Sequence, residues 1–269
     1  MNPAITVIVS TYNNPNALEA IIRRLAKATQ KPHQIIIADD GSNKRTAKRI
    51  NQLPKIKNFN IFHNWQEDRG FRKCRILNKS INGCNSDYVV FLDGDCLPHK
   101  DFVKDHMAMA EKGYFVQGRR CFVRENQVNA LLEGRTSLAR LMLSGEVSGL
   151  LKSFRLPKPI VKVNRDMYGL LGCNLGVWKD DLLAVNGFDE DYEGWGREDS
   201  DLGARLYNLG LSRKMVYGRA LVYHLNHLEN KRDQLRQNDR RLKETISSGK
   251  IRCANGLAKE SPQSVESPK

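Results

Sequence analysis

Two carboxylates separated by one glycine end the apolar run Tyr88-Val89-Val90-Phe91-Leu92-Asp93-Gly94-Asp95. An acidic pair at the end of a buried strand is a hard-oxygen site, suited to Mg²⁺ or Mn²⁺ held against phosphate oxygens. Two other apolar runs also break into polar residues. Ile5–Val9 leads into Ser10-Thr11-Tyr12-Asn13, and Gln34–Ala38 leads into Asp39-Asp40-Gly41-Ser42. Tyr12 offers a ring face on which a base can stack, and Asp39 or Asp40 can accept a hydrogen bond from an imide N–H or a ribose hydroxyl. Neither G-x-x-x-x-G-K-[ST] nor G-x-G-x-x-G occurs. No glycine loop cradles phosphates, which leaves a metal to hold them.

Chemistry-bearing residues recur near the C-terminus, in Trp195-Gly196-Arg197-Glu198-Asp199-Ser200-Asp201. Leu202, Leu206 and Leu209 continue as a helix that Gly210 stops, so the three carboxylates sit in its first turn, where the macrodipole favours the anions. Trp195 beside a carboxylate suits a sugar ring. Val222-Tyr223-His224 ends a strand expected over Val216–Leu225, and His227 follows three residues later. A histidine near a carboxylate–metal site is a third-ligand candidate.

Strands and helices alternate around these groups. Asn14 and Pro15 start a helix that Leu18, Ile21, Ile22 and Leu25 continue. A short polar helix follows Ser42, Asn60–His63 is a weaker strand, and Gly70 to Cys84 has helical spacing. The alternation predicts βαβ units and an α/β fold, a Rossmann-like, mostly parallel central sheet flanked by helices. In such a sheet the polar strand ends converge on one crevice. The glycines of Gly169–Trp178 let backbone approach a ligand or another strand.

The chain has 269 residues, 40% of them hydrophobic, enough for a large core. Its net charge of +14 points to an acidic partner. Six cysteines (74, 84, 96, 121, 173 and 253) contain no C-x-x-C, which suits a reducing compartment. No segment reaches the ~18 apolar residues of a membrane span and no charged leader is evident, so a cytoplasmic location is expected. From Gln117 to Arg165, ten Lys and Arg stand against three Glu, an excess of seven. Val128, Leu131, Leu132, Leu138, Leu141, Met142, Leu150, Leu151 and Phe154 add apolar faces. Such a stretch either packs on the sheet with solvated arginines outside or lies against an anionic membrane surface. A charged helix is expected over Leu228–Lys250 and a disordered tail from Ala258.

Ser10-Thr11-Tyr12-Asn13, Asp39-Asp40-Gly41-Ser42 and Leu92-Asp93-Gly94-Asp95 together resemble the N-terminal half of family 2 glycosyltransferases of the GT-A fold. Gly187-Phe188-Asp189 and Gly194-Trp195-Gly196-Arg197-Glu198-Asp199 resemble the C-terminal module shared by β-1,4-galactosyltransferases, chondroitin polymerases and polypeptide GalNAc-transferases. The resemblance implies a nucleotide-sugar-binding half at 1–116, a basic, partly helical insertion at 117–166, an acceptor and catalytic half at 167–257, and a tail at 258–269. It implies a UDP-sugar donor, a glycan or glycolipid acceptor, and Mn²⁺ or Mg²⁺. Thr11, Tyr12, Asn13, Asp39, Asp40, Arg72, Asp93, Gly94 and Asp95 then serve the nucleotide. Asp95 and His224, with Asp93, serve the metal, and His227 is the alternative histidine. Asp199 is the implied base with Glu198 beside it, and Trp195, Gly196, Glu198 and Asp199 face the acceptor. Gly70-Phe71-Arg72 fits a G-F-R segment of this subgroup. Two positions depart from the pattern: Leu77-Asn78 stands where Arg-Asn is common, and Arg197 where glycine is usual.

Two other functions compete with inverting sugar transfer. A nucleotidyltransferase would carry a glycine-rich basic loop after the first strand, and Ser10–Pro15 has neither glycine nor a basic residue. A non-enzymatic nucleic-acid binder is suggested by charge alone, without base-reading motifs, and no nucleic-acid partner is expected.

Overall fold

The computed structural model describes residues 3–53, 60–148, 153–227 and 232–259. Eleven strands are assigned in the described residues: β1 Ile5–Thr11, β2 Gln34–Asp39, β3 Ile61–Trp65, β4 Tyr88–Asp93, β5 Cys96–Pro98, β6 Tyr114–Gln117, β7 Arg119–Val123, β8 Ile160–Asn164, β9 Asn174–Trp178, β10 Ser212–Tyr217 and β11 Leu221–Leu225. The helices are α1 Pro15–Ala26, α2 Lys44–Asn51, α3 Lys73–Asn82, α4 Phe102–Met109, α5 Glu125–Leu132, α6 Leu138–Leu143, α7 Lys179–Ala184, α8 Glu198–Asn208 and α9 Leu235–Ser248.

The large sheet has the order β3-β2-β1-β4-β9-β6-β10-β8, and a small one has the order β5-β11-β7. In the large sheet β8 and β9 run against the other six strands, so the fold is α/β with a mostly parallel centre. Both faces of β1, β2 and β4 are buried, in keeping with their mostly apolar sequences. Along β1, Ile5, Val7 and Val9 pack with Leu18, Ile21, Ile22 and Leu25 of α1. Ile8 faces the other way, onto the side that holds Ile76, Leu77 and Ile81 of α3 with Leu202 and Leu206 of α8. Asn14 caps α1, its side chain accepting from Ala17 N–H, and Asn43 caps α2 in the same way.

Chain order reverses between β1 and β4, and that pair forms the topological switch point at which open α/β sheets bind ligands. Here Ser10 lies beside Asp93 in register, and β2 brings Asp39 beside Thr11.

Four local expectations change. The helix expected over Gly70–Cys84 is only α3, because Gly70 takes φ +86 and the chain turns at Arg72 before entering the helix. The run Val216–Leu225 is two strands in different sheets, broken where Gly218 and Ala220 adopt positive φ. The stretch 117–166 supplies β7 to the small sheet and β8 to the large one, so sheet pairing runs through it; Leu150 and Leu151 lie outside the described residues. Of the tail, Ala258 and Lys259 are tied down, Ala258 N–H donating to Asn186 and Lys259 pairing with Glu190, while 260–269 lie outside the described residues. Residues 228–231 of the expected charged helix also lie outside them. All six cysteines are free and buried. No helix of the described residues is long and apolar enough to cross a membrane.

Candidate active site

Burial fixes the strand ends that carry the first group of polar residues. The Asp39 carboxylate accepts from Ser42 N–H at 2.8 Å and lies 3.0 Å from His63 Nε2. Asp40 accepts from Arg72 N–H at 2.9 Å and from the Gln66 amide. Burial pushes Asp40 up from the ordinary carboxylate value. Asn13 takes a left-handed φ of 50° and links the two loops, its N–H donating to Ser42 Oγ and its side chain accepting from Asn43 N–H. Thr11 Oγ1 is buried without a hydrogen-bond partner. Tyr12 is 53% exposed, its hydroxyl bonded to Asp68. The wall thus offers an open aromatic face, a buried hydroxyl with free capacity and two buried carboxylates. The Arg72 guanidinium donates to the Glu67 carbonyl at the rim.

The carboxylates after β4 part company. Asp95 turns to the end of β11, its Oδ2 lying 2.9 Å from His227 Nε2 and 3.5 Å from His224 Nε2. Ligand atoms of the three residues lie within 4.8 Å of one another. Burial alone would raise Asp95, but hydrogen bonds from His224 and His227 hold it well below the usual carboxylate range. One carboxylate oxygen and two imidazole nitrogens form a donor set that can hold a divalent transition-metal ion and that suits Mg²⁺, which demands oxygen ligands, less well. Both histidines lie in the cluster, each facing Asp95 Oδ2. Asp93, expected to help bind metal, instead faces Lys73 Nζ at 2.7 Å and Ser10 Oγ at 3.0 Å. Gly94 between the two carboxylates passes against β1, where a Cβ would meet the Ser10 carbonyl at 2.2 Å.

The second group begins at α8. Arg197 precedes the helix at φ +78, a left-handed conformation that explains why glycine suits the position; its guanidinium pairs with Asp239 at 2.6 Å. Asp199 accepts at Oδ2 from Gly172 N–H and at Oδ1 from Ser200 N–H, both at 2.7 Å. Two backbone donors fix the direction of its carboxylate. Glu198 is 8% exposed, and its Oε2 is buried with no hydrogen-bond partner. Burial, reinforced by Asp199, pushes Glu198 up to about 7, with Lys73 opposing. Trp195 stacks under the Arg232 guanidinium at 5.1 Å, and Gly196 turns at φ +107, where its carbonyl accepts from Asn238. Asp201, the third acid of the turn, is structural. It pairs with buried Arg205 at 2.8 Å and accepts from Thr245 and Tyr192. Asn78 is structural too, bonded to both backbone groups of Phe188, while Leu77 is core.

Two links join the groups. Asp93 N–H donates to the Cys173 carbonyl, one residue from the Gly172 N–H that holds Asp199. Lys73 bridges Asp93 and Glu198, its Nζ 3.8 Å from Glu198 Oε1. Sequence reading passed over Lys73 and Gln66, since a polar side chain on a helix or loop ordinarily reads as solvated.

Residues 6–156 match the model of glycosyl transferase family 2, and residues 158–229 match that of the N-terminal domain of galactosyltransferase. The chain belongs to glycosyl transferase family 2. It is 23% identical over 238 residues to chondroitin synthase of Escherichia coli, covering 82% of this chain and 34% of that protein. It is 25% identical over 226 residues to validoxylamine A glucosyltransferase of Streptomyces hygroscopicus subsp. limoneus, covering 78% of this chain and 49% of that one. The chain therefore spans between a third and a half of the length of these relatives. Among solved structures, S. aureus TarS 1-349 in complex with UDP superimposes with a TM-score of 0.64 at 16% identity, over 91% of this chain and 64% of that one. GalNAc-T7 with UDP, GalNAc and Mn²⁺ gives 0.66 at 15%, over 90% and 48%. These likenesses establish the GT-A fold.

Proposed function

We propose that the chain is an inverting glycosyltransferase, moving a hexose or N-acetylhexosamine from a UDP-sugar to a hydroxyl of a glycan or glycolipid. One observation supports the reading: the Asp95–His224–His227 cluster begins two residues after Asp93, whose carboxylate Lys73 links to Glu198, the neighbour of Asp199. The family relatives, chondroitin synthase and validoxylamine A glucosyltransferase, and the UDP held by both structural neighbours support the donor class.

Asp95, His224 and His227 would hold the divalent ion, which supplies Lewis-acid stabilisation of the departing diphosphate. Tyr12, Thr11, Asn13, Asp39 and Asp40 line the nucleoside pocket, with Arg72 and Gln66 fixing Asp40. Asp93, set by Lys73 and Ser10, takes the ribose side. Asp199, held by two backbone donors, accepts the proton of the acceptor hydroxyl as that oxygen attacks the anomeric carbon from the face opposite the leaving group. Glu198 stands beside it, and Trp195 with Gly196 shapes the acceptor side. Proton abstraction of this kind is worth roughly 10²–10⁴-fold. A panel of UDP-sugars with Mn²⁺ should therefore show hydrolysis or transfer that Asp199→Asn lowers by about that factor while UDP·Mn²⁺ binding persists. Near-normal turnover by Asp199→Asn would remove it from the role of base.

The basic stretch supports a finer reading of the acceptor, as a glycan carried at an anionic membrane surface. Leu138 and Leu141 of α6 are buried in the core, whereas Arg135, Arg140 and Leu143 are exposed. Co-sedimentation with anionic vesicles at low salt, abolished in Arg135→Glu/Arg140→Glu, is the expected outcome; equal pelleting of the two proteins would dismiss the reading.

A further inference from the structure

Lys73 is neither base, metal ligand nor part of the nucleoside wall. It opens α3, yet its side chain is only 19% exposed. Its Nζ donates to Asp93 Oδ1 at 2.7 Å, an oxygen that Ser10 Oγ also binds at 3.0 Å, and lies 3.8 Å from Glu198 Oε1. Asp93 ends a strand of the donor half, and Glu198 opens the helix of the acceptor half. A lysine that merely anchored α3 to β4 would need Asp93 alone. This one sits where three carboxylates, Asp93, Glu198 and Asp199, all act on it and hold it charged against the effect of burial. The second oxygen of Glu198 is buried and has no hydrogen-bond partner. An unsatisfied buried acceptor is costly unless a ligand brings the donor, and the ligand expected on this side carries hydroxyls.

We propose that Lys73 is a positioning residue for the transfer step, its ammonium holding Asp93 and Glu198 in one geometry so that Glu198 Oε2 is presented to the acceptor hydroxyl. The inference rests on the transfer reading above and adds to it a residue outside the metal ligands and the base. Its electrostatic consequence has a definite sign. Glu198 faces Asp199 on its own helix, Lys73 and Cys74 on α3, and Asp93 on β4. Of these, Lys73 is the one that favours the carboxylate form. Removing its charge leaves Glu198 among other acids, so Glu198 keeps its proton to higher pH.

The test compares Lys73→Met and Lys73→Arg with the wild type in UDP-sugar turnover with Mn²⁺, across pH. Lys73→Met should lose on the order of 10²-fold in kcat, the scale of a misplaced catalytic array. UDP·Mn²⁺ affinity by calorimetry should stay near wild type, and the acid limb of kcat/KM should move to higher pH. Lys73→Arg keeps the charge in altered geometry, so it should show the wild-type acid limb with a kcat between the other two. In a Glu198→Gln background, Lys73→Met should remove little more. A fall in melting temperature with kcat and acid limb unchanged would make Lys73 structural and overturn the proposal. So would equal losses in both backgrounds. Should Lys73→Met not fold, Lys73→Arg decides, since full wild-type kcat there contradicts a geometric role. Wild type inert toward every UDP-sugar would instead defeat the transfer reading, whereas an active wild type matched by Lys73→Met defeats this inference alone.

Discussion

Gly172→Ala is the sharpest perturbation of the proposed base, because it leaves every titratable side chain in place. The Gly172 N–H holds Asp199 Oδ2 at 2.7 Å, and a Cβ on residue 172 would stand 2.8 Å from Asp199 Cβ. Carbon atoms in contact relax at about 3.5–4.0 Å, so the shortfall is roughly 1 Å. The first turn of α8 cannot yield freely, since Leu202 and Leu206 are fully buried in the core beneath it. Either the Asp199 side chain turns away or the 172 loop retreats, and both lengthen the bond that aims the carboxylate. Misplacement by ~1 Å costs on the order of 10²-fold in rate, or about 2.7 kcal/mol of barrier at 1.36 kcal/mol per decade. Overpacking should also remove about 1–3 kcal/mol of stability. Initial rates at saturating donor, a thermal melt and UDP·Mn²⁺ calorimetry separate these effects. The expected pattern is a fall in kcat with nucleotide affinity preserved, since the change touches neither the nucleoside wall nor the metal cluster. In an Asp199→Asn background the same glycine change should cost far less, because the two act on one group. Wild-type kcat in a stable Gly172→Ala protein would refute the claim that Asp199 must be held at this spot.

Two further outcomes follow from the site. Asp95→Ala should abolish Mn²⁺-dependent UDP binding, and His227→Ala should weaken it more than tenfold, in line with the loss of one ligand from a three-residue set; calorimetry with and without Mn²⁺ reads both, and metal-independent binding by Asp95→Ala would contradict the cluster. Glu198 is raised to about 7 in the folded protein from an ordinary 4.5. The native state therefore binds the extra proton between those values, and the stability this contributes is complete below pH ~4.5 and lost as pH rises through ~7. Glu198→Gln should accordingly be more stable than wild type at pH 8, by up to roughly 3 kcal/mol, with the gap closing toward pH 4.5 in chemical denaturation. A constant gap across pH would show that burial does not hold the proton on Glu198.

Much of this site is legible in the chain because it lies where strands stop. β1, β2 and β4 are near-continuous apolar runs, the pattern of strands buried on both faces. Their polar ends, Thr11, Asp39, Asp40 and Asp93 through Asp95, must then gather at one sheet edge. The first turn of α8 was readable for a similar reason, since a leucine periodicity and a stop at Gly210 place Glu198 and Asp199 at its N-terminus. What a strand or helix does at its end is local, and local patterns survive in sequence.

Direction and partner choice belong to the packed molecule. Nothing in Asp93-Gly94-Asp95 says that one acid turns to Lys73 and the other to two histidines; that follows from where the folded chain brings Lys73, Ser10 and the end of β11. Glu198, Asp199 and Asp201 are equivalent in sequence, yet buried Arg205 and Thr245 claim Asp201 for the core, while Glu198 faces Lys73 and Asp199 is held by the Gly172 N–H. The run Val216–Leu225 reads as continuous until two positive-φ turns divide it between sheets, which is what carries His224 and His227 to Asp95. Lys73 is the clearest case. Residue type suggests a solvated lysine on a helix, and only the packed molecule brings it to Asp93 and Glu198, 20 and 125 residues away in the chain.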